Sequence, residues 1–145
     1  MLPIEIITPA IEIRNTGTAK GRCVVSRAAY EEGSIVEICP VLVFDVTDFA
    51  ALPLELRRVV FKWSNLIGKT GIQRAVPLGF GSLYNHANPA NLRYRASRLT
   101  QTMTYLATRA IRAGEELTIN YDAPSGHSAA KDSRWMKGQG VIPIE

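Results

Sequence analysis

Cysteine is scarce in this chain: Cys23 and Cys39 are the two among 145 residues. Two thiols allow at most one disulfide and cannot complete a four-cysteine zinc site. A reducing compartment is the simpler expectation. Long apolar runs are missing as well. No stretch approaches the roughly 20 apolar residues that a membrane span requires. The segment Met1-Leu2-Pro3-Ile4-Glu5 has no basic region, and it places an acid where a signal peptide would continue its apolar run. The expected location is cytoplasmic, with no membrane partner. Strong charge of one sign is also absent, since 17 basic against 13 acidic side chains leave a net +4. The arginines are scattered (Arg57, Arg58, Arg93, Arg95, Arg98, Arg109, Arg112), without aromatic residues interleaved as in RNA-binding motifs. They read as a solvated surface, and no direct nucleic-acid partner is expected.

The length suits one domain, and a chain of this size buries roughly 70% of the surface that its unfolded form exposes. Short alternating runs dominate. Ile4-Glu5-Ile6 and Ile11-Glu12-Ile13 have the period of half-buried strands. Arg22 to Ser26 and Ser34 to Ile38 follow, with Glu31-Glu32-Gly33 as the turn between them. Asn91 to Arg95, Thr102 to Ala107 and Glu116 to Ile119 are further strands. Many short strands with frequent turns predict a mainly β fold. One helix is expected from Leu52 to Trp63, where Leu56, Val59, Val60 and Trp63 share a face, Pro53 suits the first turn and Asp48 can cap an earlier start.

Two segments depart from this pattern. Gly79-Phe80-Gly81-Ser82-Leu83-Tyr84-Asn85-His86-Ala87-Asn88-Pro89-Ala90-Asn91 is too polar and too rich in Gly, Pro and Asn for a core strand. Gly114-Glu115-Glu116-Leu117-Thr118-Ile119-Asn120-Tyr121 ends a strand on a tyrosine. Taken singly, each has a plain explanation. The first suits a loop whose amides satisfy nearby backbone groups, and Tyr121 suits a half-buried anchor.

Taken in order, the two segments resemble the SET-domain family, which pairs Asn-His-Ser-x-x-Pro-Asn with a downstream Gly-Glu-Glu-Leu-Thr-x-Asp/Asn-Tyr. Pro89 comes one place early and Ala87 stands where serine is usual, whereas Gly114 to Tyr121 matches throughout. Lys20 to Val25 resembles the family's Gly-x-Gly strand, with Cys23 in place of the second glycine. The resemblance implies a β-clip of short strands in small sheets, a knot-like crossing of the two late segments, and one inserted helix within about 46–70. It implies a SET domain over 1–122 and a tail, 123–145, that closes the site.

The same resemblance implies the activity: methyl transfer from S-adenosylmethionine to a lysine of a protein or peptide substrate. Tyr121 corresponds to the catalytic tyrosine. Gly21, Arg22, Cys23, Asn85 and His86 correspond to cofactor-binding positions. Tyr94, Tyr84, Tyr105 and Cys39 are candidates for the lysine channel, Cys39 falling near a second channel tyrosine of the family. Members often close the channel with a cysteine-rich zinc segment, but no cysteine follows Cys39. Trp135, beside Met136, is the candidate for closure and for a cofactor contact, and no metal is expected. A homodimer is compatible with so small a domain. The alternative is a SET-fold module that binds peptide or cofactor without turnover; Ala87 and Cys23 favour it, and Asn85, His86 and Tyr121 favour the enzyme.

Overall fold

The computed structural model describes residues 3–128. Strands β1 (Ile11–Asn15) and β2 (Arg22–Ser26) form an antiparallel pair. Strand β3 (Ile35–Asp45) leads into an inserted segment with two single-turn helices, α1 (Leu54–Arg57) and α2 (Trp63–Leu66). The chain continues through β4 (Gln73–Pro77), β5 (Asn85–His86), β6 (Leu92–Ser97), β7 (Thr102–Ala107) and β8 (Thr118–Ile119). A four-stranded sheet has the order β4-β3-β7-β6, while β5 and β8 make a parallel pair of their own. The molecule is mainly β, in small sheets, as its alternating runs predict.

Strand β7 lies between β3 and β6, and all of its residues are buried. Strand β6 alternates, with Leu92 and Tyr94 inside and Arg93 and Arg95 outside. The register aligns Tyr94 with Tyr105, and Tyr105 with Glu37 across β7. A bulge between Ile35 and Glu37 shifts the pairing of β3. Its extra residue, Val36, resets which side chains of β3 face the core.

The structure departs from the sequence expectation at several places, among them β4, which the alternating runs do not announce. Ile4-Glu5-Ile6 forms no strand: Ile4 and Ile6 are exposed, and pairing reduces to one bridge between Ile7 and Ile38. Pro3 and Pro9 remove ladder donors on either side of it. The helix expected from Leu52 to Trp63 is two separate turns. Phe61 leaves the helical path to pair with Ala75, exchanging main-chain hydrogen bonds of 2.8 and 2.9 Å. Asp48 caps a 3-10 turn at Phe49–Ala51, and its side chain makes no capping bond. Finally, the polar segment around Asn85 contributes β5, a strand that its composition conceals.

The two late segments interlock. Thr118 donates its N–H to Asn91 Oδ1 at 2.9 Å, Asn91 Nδ2 donates to the Glu116 carbonyl at 2.7 Å, and Leu117 donates to the Val24 carbonyl at 2.8 Å. The Asn91 amide thus acts as a piece of strand, satisfying buried backbone groups that would otherwise be costly. Residues 114–121 are held by β2 on one side and by 85–91 on the other.

Candidate functional site

A cleft opens between Arg58–Phe61 of the insert, the Gly81-Ser82 turn, and Tyr84, Ile119 and Tyr121. Its wall is largely apolar, from Val59, Val60, Phe61 and Ile119. Among the described residues no cluster of His, Cys, Asp or Glu could hold a metal.

Tyr121 lies two residues beyond β8, the partner of β5, and is fixed at its main chain and at its hydroxyl. Its N–H donates to His86 Nδ1 at 3.1 Å, and its hydroxyl donates to the Tyr84 carbonyl at 2.9 Å. The His86 and Tyr121 rings lie 5.2 Å apart. Because Nδ1 accepts, a neutral His86 carries its proton on Nε2. Burial, reinforced by the negative charge of Glu116, pushes the Tyr121 phenol up to about 12. Near neutral pH this hydroxyl is a proton-bearing donor, able to orient a ligand and poorly suited to serve as a base.

A second group of candidates meets at Asn85. Its amide donates to the Arg22 carbonyl and to Glu116 Oε2, each at 2.8 Å, and Lys20 Nζ lies 3.9 Å from Glu116 Oε1. Gly21 turns the chain into β2 with φ +73. No atom would obstruct a Cβ there, so the left-handed backbone, rather than space, is what favours glycine. Cys23 is buried in β2, and both cysteines are free thiols. The Ala87 N–H donates to the Ile119 carbonyl at 3.0 Å, a main-chain contact that needs no side-chain hydroxyl.

The channel candidates separate into a wall and its backing. Tyr84 lines the cleft, with its ring edge-on to Tyr105 at 5.1 Å and its hydroxyl donating to Glu37 Oε1 at 2.8 Å. Tyr105 is wholly buried, and its hydroxyl has no hydrogen-bond partner among the described residues. Tyr94 donates its hydroxyl to the Asn120 carbonyl at 3.0 Å and lies 6.0 Å from the Tyr105 ring. Cys39 is buried beside Gly79, and burial, then the charge of Glu37, pushes its thiol up to about 12. Tyr94, Tyr105 and Cys39 therefore pack behind the cleft rather than along its lining. Trp135 lies outside the described residues. Sequence reasoning passed over Glu37 and the part that Arg58–Phe61 play in the cleft. The signal available for Glu37 was a single acid inside the apolar run Ile35-Val36-Glu37-Ile38-Cys39.

Comparison with known proteins adds to this geometry. The sequence profile of the SET domain matches residues 21–122. A Schizosaccharomyces pombe relative, named histone-lysine N-methyltransferase, H3 lysine-37 specific, is 31% identical over 120 residues, covering 81% of this chain and 77% of the relative. The crystal structure of the Plasmodium falciparum protein PFL0690c superposes with TM-score 0.60 at 24% identity, covering 79% of this chain and 95% of that one. CpSET8 from Cryptosporidium superposes with TM-score 0.57 at 21% identity, covering 79% of this chain and 58% of that one. At these identities the two structures speak for the fold.

Proposed function

Because this chain belongs to the SET-domain methyltransferase family, we propose that it is a protein-lysine N-methyltransferase that uses S-adenosylmethionine as its donor. The observation that carries the reading is Tyr121, a proton-bearing phenol set into an apolar cleft by the crossing of β5 and β8. A free lysine amine has a pKa of about 10.4, and only its neutral form attacks. Walls such as Val59, Val60, Phe61 and Ile119 disfavour the ammonium by desolvation. The Tyr121 hydroxyl orients the incoming amine, and the proton the amine must shed goes to solvent rather than to a phenolate. The remaining catalytic task is alignment for an in-line displacement.

The donor set around Asn85 fits a zwitterionic methionine group, since it pairs an anion, Glu116, with a cation, Lys20, beside exposed main chain at Arg22. Gly21, Arg22, Cys23, Asn85 and His86 would hold the cofactor, with Trp135 as its proposed cover. The cofactor supplies an electrophilic methyl group. The Schizosaccharomyces pombe relative is named for a lysine of histone H3, so a histone tail is the first acceptor to try. Cytoplasmic location and homodimerisation stand as further proposals, tested by fractionation and by sedimentation at several concentrations.

The deciding experiment is transfer of labelled methyl from S-adenosylmethionine to core histones and a panel of lysine peptides, with calorimetry of cofactor binding alongside. Incorporation that depends on a lysine acceptor supports the reading. Cofactor binding with no transfer to any acceptor would instead identify a binding module.

A further inference from the structure

The carboxylate of Glu37 is 2% exposed and has no cation partner among the described residues. A lone buried carboxylate costs several kcal/mol unless donors surround it, so its partners show what it is fixed to. All of them come from one segment. Phe80 donates its N–H to Oε2 at 2.8 Å, the Tyr84 hydroxyl donates to Oε1 at 2.8 Å, and the main chain at Gly81 adds a further favourable contact. Gly79 packs so closely on the strand that an added Cβ would lie 2.6 Å from Glu37 Oε2. Glu37 thus pins the turn 79–84 to the middle of the four-stranded sheet. Tyr84 is then held at two points, since its hydroxyl ends on Glu37 and its carbonyl receives the Tyr121 hydroxyl.

We propose that Glu37 is a positioning residue for the site: by anchoring Tyr84 and the turn before it, it sets where the Tyr84 carbonyl, and hence the Tyr121 hydroxyl, lies. The proposal rests on the methyltransferase reading for its consequence in rate, but the linkage itself is testable without turnover. Glu37 and Tyr121 meet through Tyr84, so substitutions that merely removed two separate core ties would add.

The experiment is a double-mutant cycle in thermal stability between Glu37→Gln and Tyr121→Phe, with Glu37→Gln and Tyr30→Phe as the remote control. Tyr30 accepts a bond from the Ala10 N–H, away from the turn. The expected result is a double variant whose Tm falls by clearly less than the sum of the single shifts, while the control pair adds. Additive shifts in the Glu37–Tyr121 pair overturn the proposal. If Glu37→Gln does not fold, Tyr84→Phe severs the same link from its other end and takes its place in the cycle. In turnover, kcat of Glu37→Gln should fall by about tenfold, with the Kd for S-adenosylhomocysteine within about threefold. Wild-type kcat in the folded variant also overturns the proposal. A wild-type protein that transfers no methyl group removes the methyltransferase reading instead, and leaves the cycle to decide the linkage.

Discussion

Replacing Tyr121 with phenylalanine removes one oxygen and keeps the ring, so its effects can be sized from the structure. The lost group donates a single hydrogen bond of 2.9 Å to the Tyr84 carbonyl, at a partly buried position. A bond of that kind contributes about 1 kcal/mol net. For a domain of this size that is a fall of roughly 3–6 °C in Tm. An anchoring role would stop there. If the hydroxyl orients the amine during transfer, turnover falls by about two orders of magnitude or more, although the proposed cofactor contacts at Asn85 and Arg22 are untouched. The assay combines a melt, calorimetry with S-adenosylhomocysteine, and initial rates on a lysine acceptor that the wild type methylates. A melt lowered by only those few degrees, normal binding and turnover reduced about a hundredfold is the expected pattern. A folded Tyr121→Phe protein that turns over at the wild-type rate would refute the reasoning.

Asn85→Ala breaks the contacts to the Arg22 carbonyl and Glu116, so cofactor affinity measured by calorimetry should drop severely; unchanged affinity in the folded variant would remove Asn85 from the cofactor site. Deleting residues 130–145 should lower cofactor affinity with the cooperative melt preserved, and a truncated chain as active as the whole would place closure elsewhere. Gly79→Ala, whose Cβ would meet Glu37 and Cys39 at 2.6 and 2.7 Å, should cost roughly 1–3 kcal/mol by overpacking, read as a lowered Tm. Burial raises the phenols of Tyr84, Tyr94, Tyr105 and Tyr121, the last to about 12. The folded chain then keeps protons that the unfolded chain loses near about pH 10. Stability should hold below about pH 10 and fall as the pH climbs through about 12; an alkaline melt series that stays flat would contradict it.

Much of the fold can be read from the residues themselves. Thr102 to Ala107 matches β7 end to end, and the alternation at Leu92-Arg93-Tyr94-Arg95 gives both the strand and its inner face. Two of the departures share a reason: the deciding partner is distant in sequence. Phe61 abandons a good helical stripe because Ala75 offers it a main-chain pair. Asn85 and His86 form a strand only because Thr118 and Ile119 arrive alongside. In the candidate site, the motif residues Asn85 and Tyr121 are legible because their order is distinctive, and their roles rest on that resemblance. Glu37 is hidden, since local periodicity carries no information about a bulge that turns an acid inward.

The crossing has a bearing on how the molecule comes together in time. Strands β5 and β8 are two residues each, and their stability derives from contacts that close long loops: 63 residues from Asn85 to Arg22, 37 from Tyr121 to Tyr84. Closing such loops costs entropy that only later contacts repay. The β6–β7 hairpin is near-local and can form early, whereas the β3–β7 pairing, from Pro40–Thr102 to Ile35–Leu106, closes loops as long as those of the β5–β8 corner. The chemistry-bearing corner, held by strands of two residues each, is expected to open more readily than the longer strands of the four-stranded sheet. A chain with its sheet formed and this pairing undone would keep the buried strand β7 but lose Ile119 and Tyr121 from the wall of the cleft.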